Sequence, residues 1–258
     1  MNRQRGGQAT RIWLAGAALM ACALPGAQAR RGGAEPPAVT AFQVVGLPGE
    51  VQVLRTGQFL RSYPVPRGQE ALTLVSGDRL ALVTQPQAQW ADYRLQVYDL
   101  TTGRLVSQQT QVGRVSRLYA LGRDLFVEAT SSGAGLSQRT LVQALQGPAS
   151  ALQIDGWRQA QNPRSVLFDS PNGAYNPYEP VALNFFRYDL DARTLRSLSF
   201  AVPARTGCGP VEKDGTLDER ETYTAREVVA TRHDRCGVFE ARFDWTAPAR
   251  RPEIRPLR

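Results

Sequence analysis

The sequence is poor in the residues that usually carry chemistry. It has one histidine, three cysteines and two methionines, and Lys213 is the only lysine among its 31 basic residues. A single histidine excludes a zinc centre built from several imidazoles of one chain. Neither a Gly-x-Ser-x-Gly elbow nor a phosphate-binding glycine loop is present, and Ser131-Ser132-Gly133-Ala134-Gly135 reads as a turn with no helix after it. Isoleucine occurs only at positions 12, 154 and 254, a bias that, with arginine in place of lysine, reflects a GC-rich genome. The arginines are scattered rather than clustered, so the basic balance does not draw a nucleic-acid footprint. Beyond the first 30 residues no apolar run approaches the ~20 residues of a membrane-spanning helix.

Residues 1–29 read as a secretory signal peptide. Arg3, Arg5 and Arg11 precede an apolar run from Ile12 to Leu24, and Pro25-Gly26 breaks it ahead of Ala27-Gln28-Ala29. Cleavage after Ala29 competes with lipidation, because Leu19-Met20-Ala21-Cys22 resembles a bacterial lipoprotein box with Cys22 as the modified residue; only the lipid would tie the chain to a membrane. Without the leader the count is 28 basic against 23 acidic residues. Residues 30–41, rich in Arg, Gly and Pro, read as a flexible leader, and 42–258 as one β domain with a Cys-bounded insertion at about 206–236. Export to the periplasm or cell envelope leaves Cys208 and Cys236 as an even pair in an oxidising compartment, where a disulfide is expected.

What the chain has in abundance is a repeat. In Tyr93–Val106, Leu95, Val97 and Leu105 alternate with polar residues around Thr101-Thr102-Gly103, the pattern of strand, tight turn, strand. Asp99 is placed to accept N–H bonds from that turn. Tyr-Asp-Leu returns at Tyr188-Asp189-Leu190, and weaker copies stand at half that spacing around Gly57 and Gly147; Phe239–Trp245 is a last, displaced candidate. A second motif, Leu74–Val83 with Gly77 and Tyr119–Val127 with Gly122, keeps the same 45-residue register. Arg164–Phe168 and Arg226–Ala230 are degenerate copies. Four short strands per period of the middle forties predict an all-β, propeller-like array of four to five antiparallel blades, with an incomplete first unit at Phe42–Tyr63. A β-sandwich or irregular barrel is the alternative.

Asp99-Leu100-Thr101-Thr102-Gly103 resembles the bacterial β-propeller repeats of the YVTN and PQQ-like kind, whose units run strand, Asp, x-x-Thr-Gly, strand; Asp189–Arg193 has lost the Thr and the Gly. The resemblance covers roughly residues 42–200 and implies the propeller fold. It implies no cofactor and no catalytic residue, since the matching positions are turns and strands.

Functional expectations are correspondingly few. The loop Asp169–Pro180 offers Tyr175 and Tyr178 in a proline-stiffened frame, and with Trp157 and Trp90 these are the candidate binding residues for a glycan or protein partner. The acidic stretch Glu212–Glu221 lacks EF-hand ligand order and reads as a solvated loop rather than a calcium site. His233-Asp234-Arg235-Cys236 places neighbours on opposite faces of a strand, which argues against a catalytic set. The tail Arg250–Arg258 reads as a last strand or solvated end. The preferred expectation is a non-enzymatic envelope module that binds a protein or wall polysaccharide through its loop faces, with no cofactor, metal or nucleic acid. The alternative is a propeller hydrolase or lyase acting on a sugar or lactone, with Asp99, Asp189 and Asp244 as nominal carboxylates.

Overall fold

The computed structural model describes residues 42–87, 91–132, 136–145, 151–169, 182–212 and 220–257. The chain divides into residues 1–39 and Thr40–Arg258, and the described residues belong to the second part. The signal segment, Cys22, the leader, Trp90, Tyr175, Tyr178 and residues 213–219 of the acidic loop lie outside them.

The described residues form 19 strands in five antiparallel sheets. The first sheet holds β1 (Phe42–Leu47), β2 (Glu50–Arg55) and β3 (Gln58–Pro64). The second is β4 (Gln69–Ser76), β5 (Arg79–Pro86), β6 (Tyr93–Asp99) and β7 (Leu105–Gln111); the third is β8 (Arg114–Leu121), β9 (Asp124–Ser132), β10 (Leu136–Ala144) and β11 (Ala151–Asp155). The fourth is β12 (Arg158–Gln161), β13 (Ser165–Asp169), β14 (Ala182–Asp189) and β15 (Thr194–Ala201); the fifth is β16 (Glu221–Tyr223), β17 (Glu227–Asp234), β18 (Gly237–Asp244) and β19 (Glu253–Pro256). In every sheet, spatial order follows chain order, as in the blades of a propeller.

One backbone bond marks the repeat. The residue after the third strand of a four-stranded sheet donates its N–H to the turn between the first two strands: Leu100 to Asp78 (2.7 Å), Leu145 to Arg123 (2.9 Å), Leu190 to Arg164 (2.8 Å) and Trp245 to Arg226 (3.0 Å). Sequence copies that had lost their glycine therefore keep the geometry. The largest departure from the period lies between β15 and β16, with a smaller one between β13 and β14; β16 and β17, inside the expected insertion at about 206–236, are regular strands of the fifth sheet, and the basic tail supplies β19.

The second strands of the three middle sheets, β5, β9 and β13, are buried on both faces, so they read as continuous rather than alternating apolar runs. On β5, Leu80 and Leu82 pack toward the first sheet with Val51, Val53 and Tyr63, while Ala81 and Val83 pack toward the third with Val115, Leu125 and Val127. On β13, Val166 and Phe168 meet Phe126 of the third sheet, and Leu167 joins Phe239, Phe243 and Trp245 of the fifth. Four apolar clusters thus join five sheets in sequence, and among the described residues none joins the first sheet to the fifth. Buried Gln85 adds a polar clamp: its amide spans the N–H and C=O of Val115 and also donates to Glu70.

The two end faces differ. On the outer face of the fifth sheet, Arg242 reaches Glu240 (2.7 Å) and Glu227 (3.7 Å), and Arg255 reaches Glu253 (2.7 Å). The first sheet turns Val45, Leu47 and Phe59 outward; Val65, after β3, donates to the Gly49 carbonyl of the β1–β2 turn at 2.9 Å, so β1–β3 match the first three strands of the other sheets, and among the described residues no fourth strand pairs with β3.

Candidate functional site

The Asp residues nominated from the sequence do not converge. Asp99 Oδ1 accepts the Thr102 N–H at 2.8 Å and its other oxygen takes Arg79; Asp189 accepts the N–H groups of Asp191 and Ala192; Asp244 accepts those of Thr246 and Ala247 and pairs with Arg226. Each closes its own turn. The Thr102 N–H and then Arg79 hold the Asp99 carboxyl down at about 2.

The cysteine pair is bonded, Cys208 to Cys236 across 28 residues. It fastens the segment ahead of the fifth sheet to the β17–β18 turn. Beside it Arg205 grips buried Asp234 with two nitrogens, donates to the Gly237 carbonyl at 2.9 Å and lies 4.7 Å from the Phe239 ring centroid. Arg205 lowers the Asp234 pKa. Cys208, Asp234 and Cys236 form the one cluster of metal-type ligands among the described residues, and the disulfide consumes both sulfurs. His233 pairs its backbone with Glu212 and brings Nδ1 within 3.5 Å of the Glu212 carboxylate, so it closes a local strand pair rather than serving a nucleophile.

Side chains do converge on the first strands of the third, fourth and fifth sheets. Each of β8, β12 and β16 is bonded on one side only, and together they line an open cleft of about 460 Å³. Arg117 enters from β8, Arg158, Gln159 and Gln161 from β12, and Tyr223 and Thr224 from the end of β16. A bulge between Arg158 and Ala160 extrudes Gln159, the usual means by which a strand re-aims one side chain. Asn162 ties the walls together: its Oδ1 accepts the N–H groups of Arg164 and Ser165, and its Nδ2 donates to the Ala225 carbonyl at 3.3 Å.

Behind the lining lie two carboxylates. Glu128 pairs with Arg117 in register on β9, and its Oε2 is 3.7 Å from Arg117 Nε; its side chain is 4% exposed, and Oε1 has no hydrogen-bond partner among the described residues. The Tyr119 hydroxyl is likewise buried beside Glu128, with no partner at hydrogen-bond distance among the described residues. The Tyr119 ring stacks on Phe126, and the Arg158 guanidinium sits 4.1 Å from its centroid. Burial, then the Glu128 charge, pushes the Tyr119 phenol far up. Asp169, at the end of β13, accepts the Trp157 N–H (2.5 Å) and the Gln159 amide (2.9 Å), and burial still raises its pKa. Its approach depends on Gly156 at φ +150°, where a Cβ would run into the Asp169 carbonyl. Burial and the nearby Glu221 and Asp169 charges push Tyr223 up to about 12.

Of the residues expected to bind, only Trp157 lies among those described. It is half-buried, and its indole N–H donates to the Ala129 carbonyl at 3.4 Å, bridging the fourth sheet to the third. The cleft residues were missed because they sit on first strands, the least regular members of the repeat. Arg114-Val-Ser-Arg117-Leu-Tyr119 and Arg158-Gln-Ala-Gln161 are polar where second strands are apolar, and that contrast was the available signal.

No family model and no curated protein matches the chain. Among solved structures it is similar to Hsv2 of Kluyveromyces lactis, at 13% identity and a TM-score of 0.39 over 82% of this chain and 59% of that one. It is also similar to the β-propeller domain of the trilobed protease from Pyrococcus furiosus, described as having an open velcro topology, at 11% identity and a TM-score of 0.37 over 81% of this chain and 61% of that one. The chain thus spans about three-fifths of the length of these two structures.

Proposed function

We propose that the chain is an exported cell-envelope protein acting as a non-enzymatic binding module, with the cleft across β8, β12 and β16 as its recognition surface and an envelope protein or wall polysaccharide as its partner. The observation that carries this reading is the convergence of Arg117, Arg158, Gln159, Gln161 and Tyr223 on one open cleft, while Asp99, Asp189 and Asp244 are each spent on a turn. The disulfide is compatible with an oxidising compartment, and among the described residues no helix is long and apolar enough to cross a membrane. Kinship with the YVTN and PQQ-like repeats belongs to the same proposal and rests on Asp99–Gly103.

A hydrolase or lyase is the second reading, and Asp169 favours it: a carboxyl with a raised pKa, bonded to the cleft residue Gln159, has the disposition of a general acid.

Two measurements test these readings. The intact mass of the native protein, taken without reductant, is expected to match a chain starting at Arg30 less two hydrogens, or one starting at acylated Cys22; an uncleaved chain overturns export. Wild-type protein is expected to cosediment with purified peptidoglycan sacculi or to be captured by a defined envelope protein, and Arg158→Ala to lose that binding. Release of new reducing ends or unsaturated sugars, abolished by Asp169→Asn, would replace the binding reading with the enzymatic one.

A further inference from the structure

We infer that the cleft takes a carboxylate-bearing saccharide; this rests on the cleft being the recognition surface, as proposed above. The anionic part of the ligand follows from two guanidinium groups that each keep nitrogens without a protein acceptor among the described residues. Arg158 forms no ion pair among the described residues and donates only to Gln161 Oε1, at 2.6 Å, with its plane held over Tyr119. Arg117 is 57% exposed at its side chain and touches one carboxylate, through Nε at 3.7 Å, leaving its terminal nitrogens without a partner among the described residues. A guanidinium edge free of protein acceptors suits a planar carboxylate, which it meets with two parallel hydrogen bonds.

The saccharide part follows from the remaining lining. Gln161 accepts from Arg158 and has an NH₂ with no partner among the described residues, whereas Gln159 gives one N–H to Asp169 and has an oxygen with no partner among them. A free donor beside a free acceptor fits hydroxyl groups, which both give and take a hydrogen bond; a phosphate or a bare carboxylate would leave the Gln159 oxygen unmatched. The apolar lining is limited to Ala160, Ala225 and the Tyr223 ring, so the cleft lacks the side-chain pockets by which peptides are read. Its volume of about 460 Å³ lies within the range of roughly 300–1,000 Å³ usual for small-ligand clefts.

The test is calorimetric titration of the full mature chain with oligogalacturonate, its fully methyl-esterified form and polyglutamate. The acid form is expected to bind, the ester and the peptide at least tenfold more weakly, and binding of the acid form to weaken with salt. Arg117→Ala and Arg158→Ala are each expected to reduce affinity roughly 10- to 100-fold, since each removes hydrogen bonds to a charged group, with Arg158→Lys recovering part of the loss. Arg117 is the more exposed of the two, so its variant reports on binding even if Arg158→Ala loosens the Tyr119 stack; unfolding midpoints identify that case. Equal binding of acid and ester with dependence on both arginines overturns the carboxylate and leaves the recognition surface standing. Preference for polyglutamate overturns the saccharide. Binding indifferent to both arginines, or no binding of the acid form at millimolar concentration, overturns the inference, while sedimentation with sacculi separately decides the binding reading.

Discussion

Asp99 shows how a turn carboxylate couples this fold to pH. The folded state holds its pKa at about 2, against an ordinary value of 3.8. Its contribution is therefore complete above about pH 4 and is lost as the pH falls toward 2. Asp234 and Asp244 are shifted in the same direction, so they deepen the same acid limb. Thermal midpoints of the wild type are expected to fall steeply between about pH 4 and pH 2, and those of Asp99→Asn to fall less. Gly156 is the most constrained residue by the site. With φ at +150° and the Asp169 backbone where a Cβ would go, Gly156→Ala must move main chain rather than a flexible side chain. A loss of about 3 kcal/mol or more is expected in denaturant unfolding, against about 1 kcal/mol for Gly77→Ala, whose Cβ would meet open space at φ +58°. The turn role of Asp99 was legible because Asp, Thr and Gly stand in turn order. The role of Gly156 was not, because its neighbour Asp169 is 13 positions away and is brought close only by the β12–β13 pairing.

Elements were legible where one face of a strand is polar. β6 alternates as the sequence does, with Tyr93, Leu95 and Val97 buried, and the glycine turns at Gly57, Gly77, Gly103 and Gly122 all have positive φ. The first strands of the fourth and fifth sheets were not legible: β12 and β16 span four and three residues, too short for a period to show. The second strands carry the packing. Leu82, fully buried against the first sheet, is expected to cost about 2–5 kcal/mol as Leu82→Ala, whereas Phe59→Ser, at a position 61% exposed, should stay within about 0.5 kcal/mol; chemical denaturation of both in one background checks the contrast. The disulfide is an element-level staple. Replacing Cys208 and Cys236 together by serine removes the closure of a 28-residue loop and is expected to cost roughly 2–4 kcal/mol, read as a fall in midpoint of about 5–15 °C.

At the scale of the molecule, stability follows from the order of the sheets. An array in which each sheet packs only on its neighbours behaves as a sum of unit and interface contributions, so units with one interface open before units with two. The first sheet has three strands, one apolar interface and, among the described residues, no fourth strand beside β3. The fifth also has one interface, but that interface holds Phe239, Phe243 and Trp245, its outer face is charged, and the disulfide ties it to the preceding segment. Hydrogen exchange read by mass spectrometry is therefore expected to release the amides of β1–β3 first, those of the fifth sheet next, and those of β9 and β13 last. Reduction should move the fifth sheet toward the first and leave β9 unchanged. Equal protection of β2 and β9 would mean that the first sheet is held on its outer face too, as in a closed ring, and the nearest-neighbour account would fail. The repeat in the sequence could place the blades in order. It could not say whether the ends meet, because closure depends on the outward residues of two sheets roughly 180 positions apart, Val45, Leu47 and Phe59 at one end and Glu227, Glu240 and Arg242 at the other. An apolar face and an ion-paired face offer each other little to exclude water from, which is the physical reason to expect fast exchange at the first sheet.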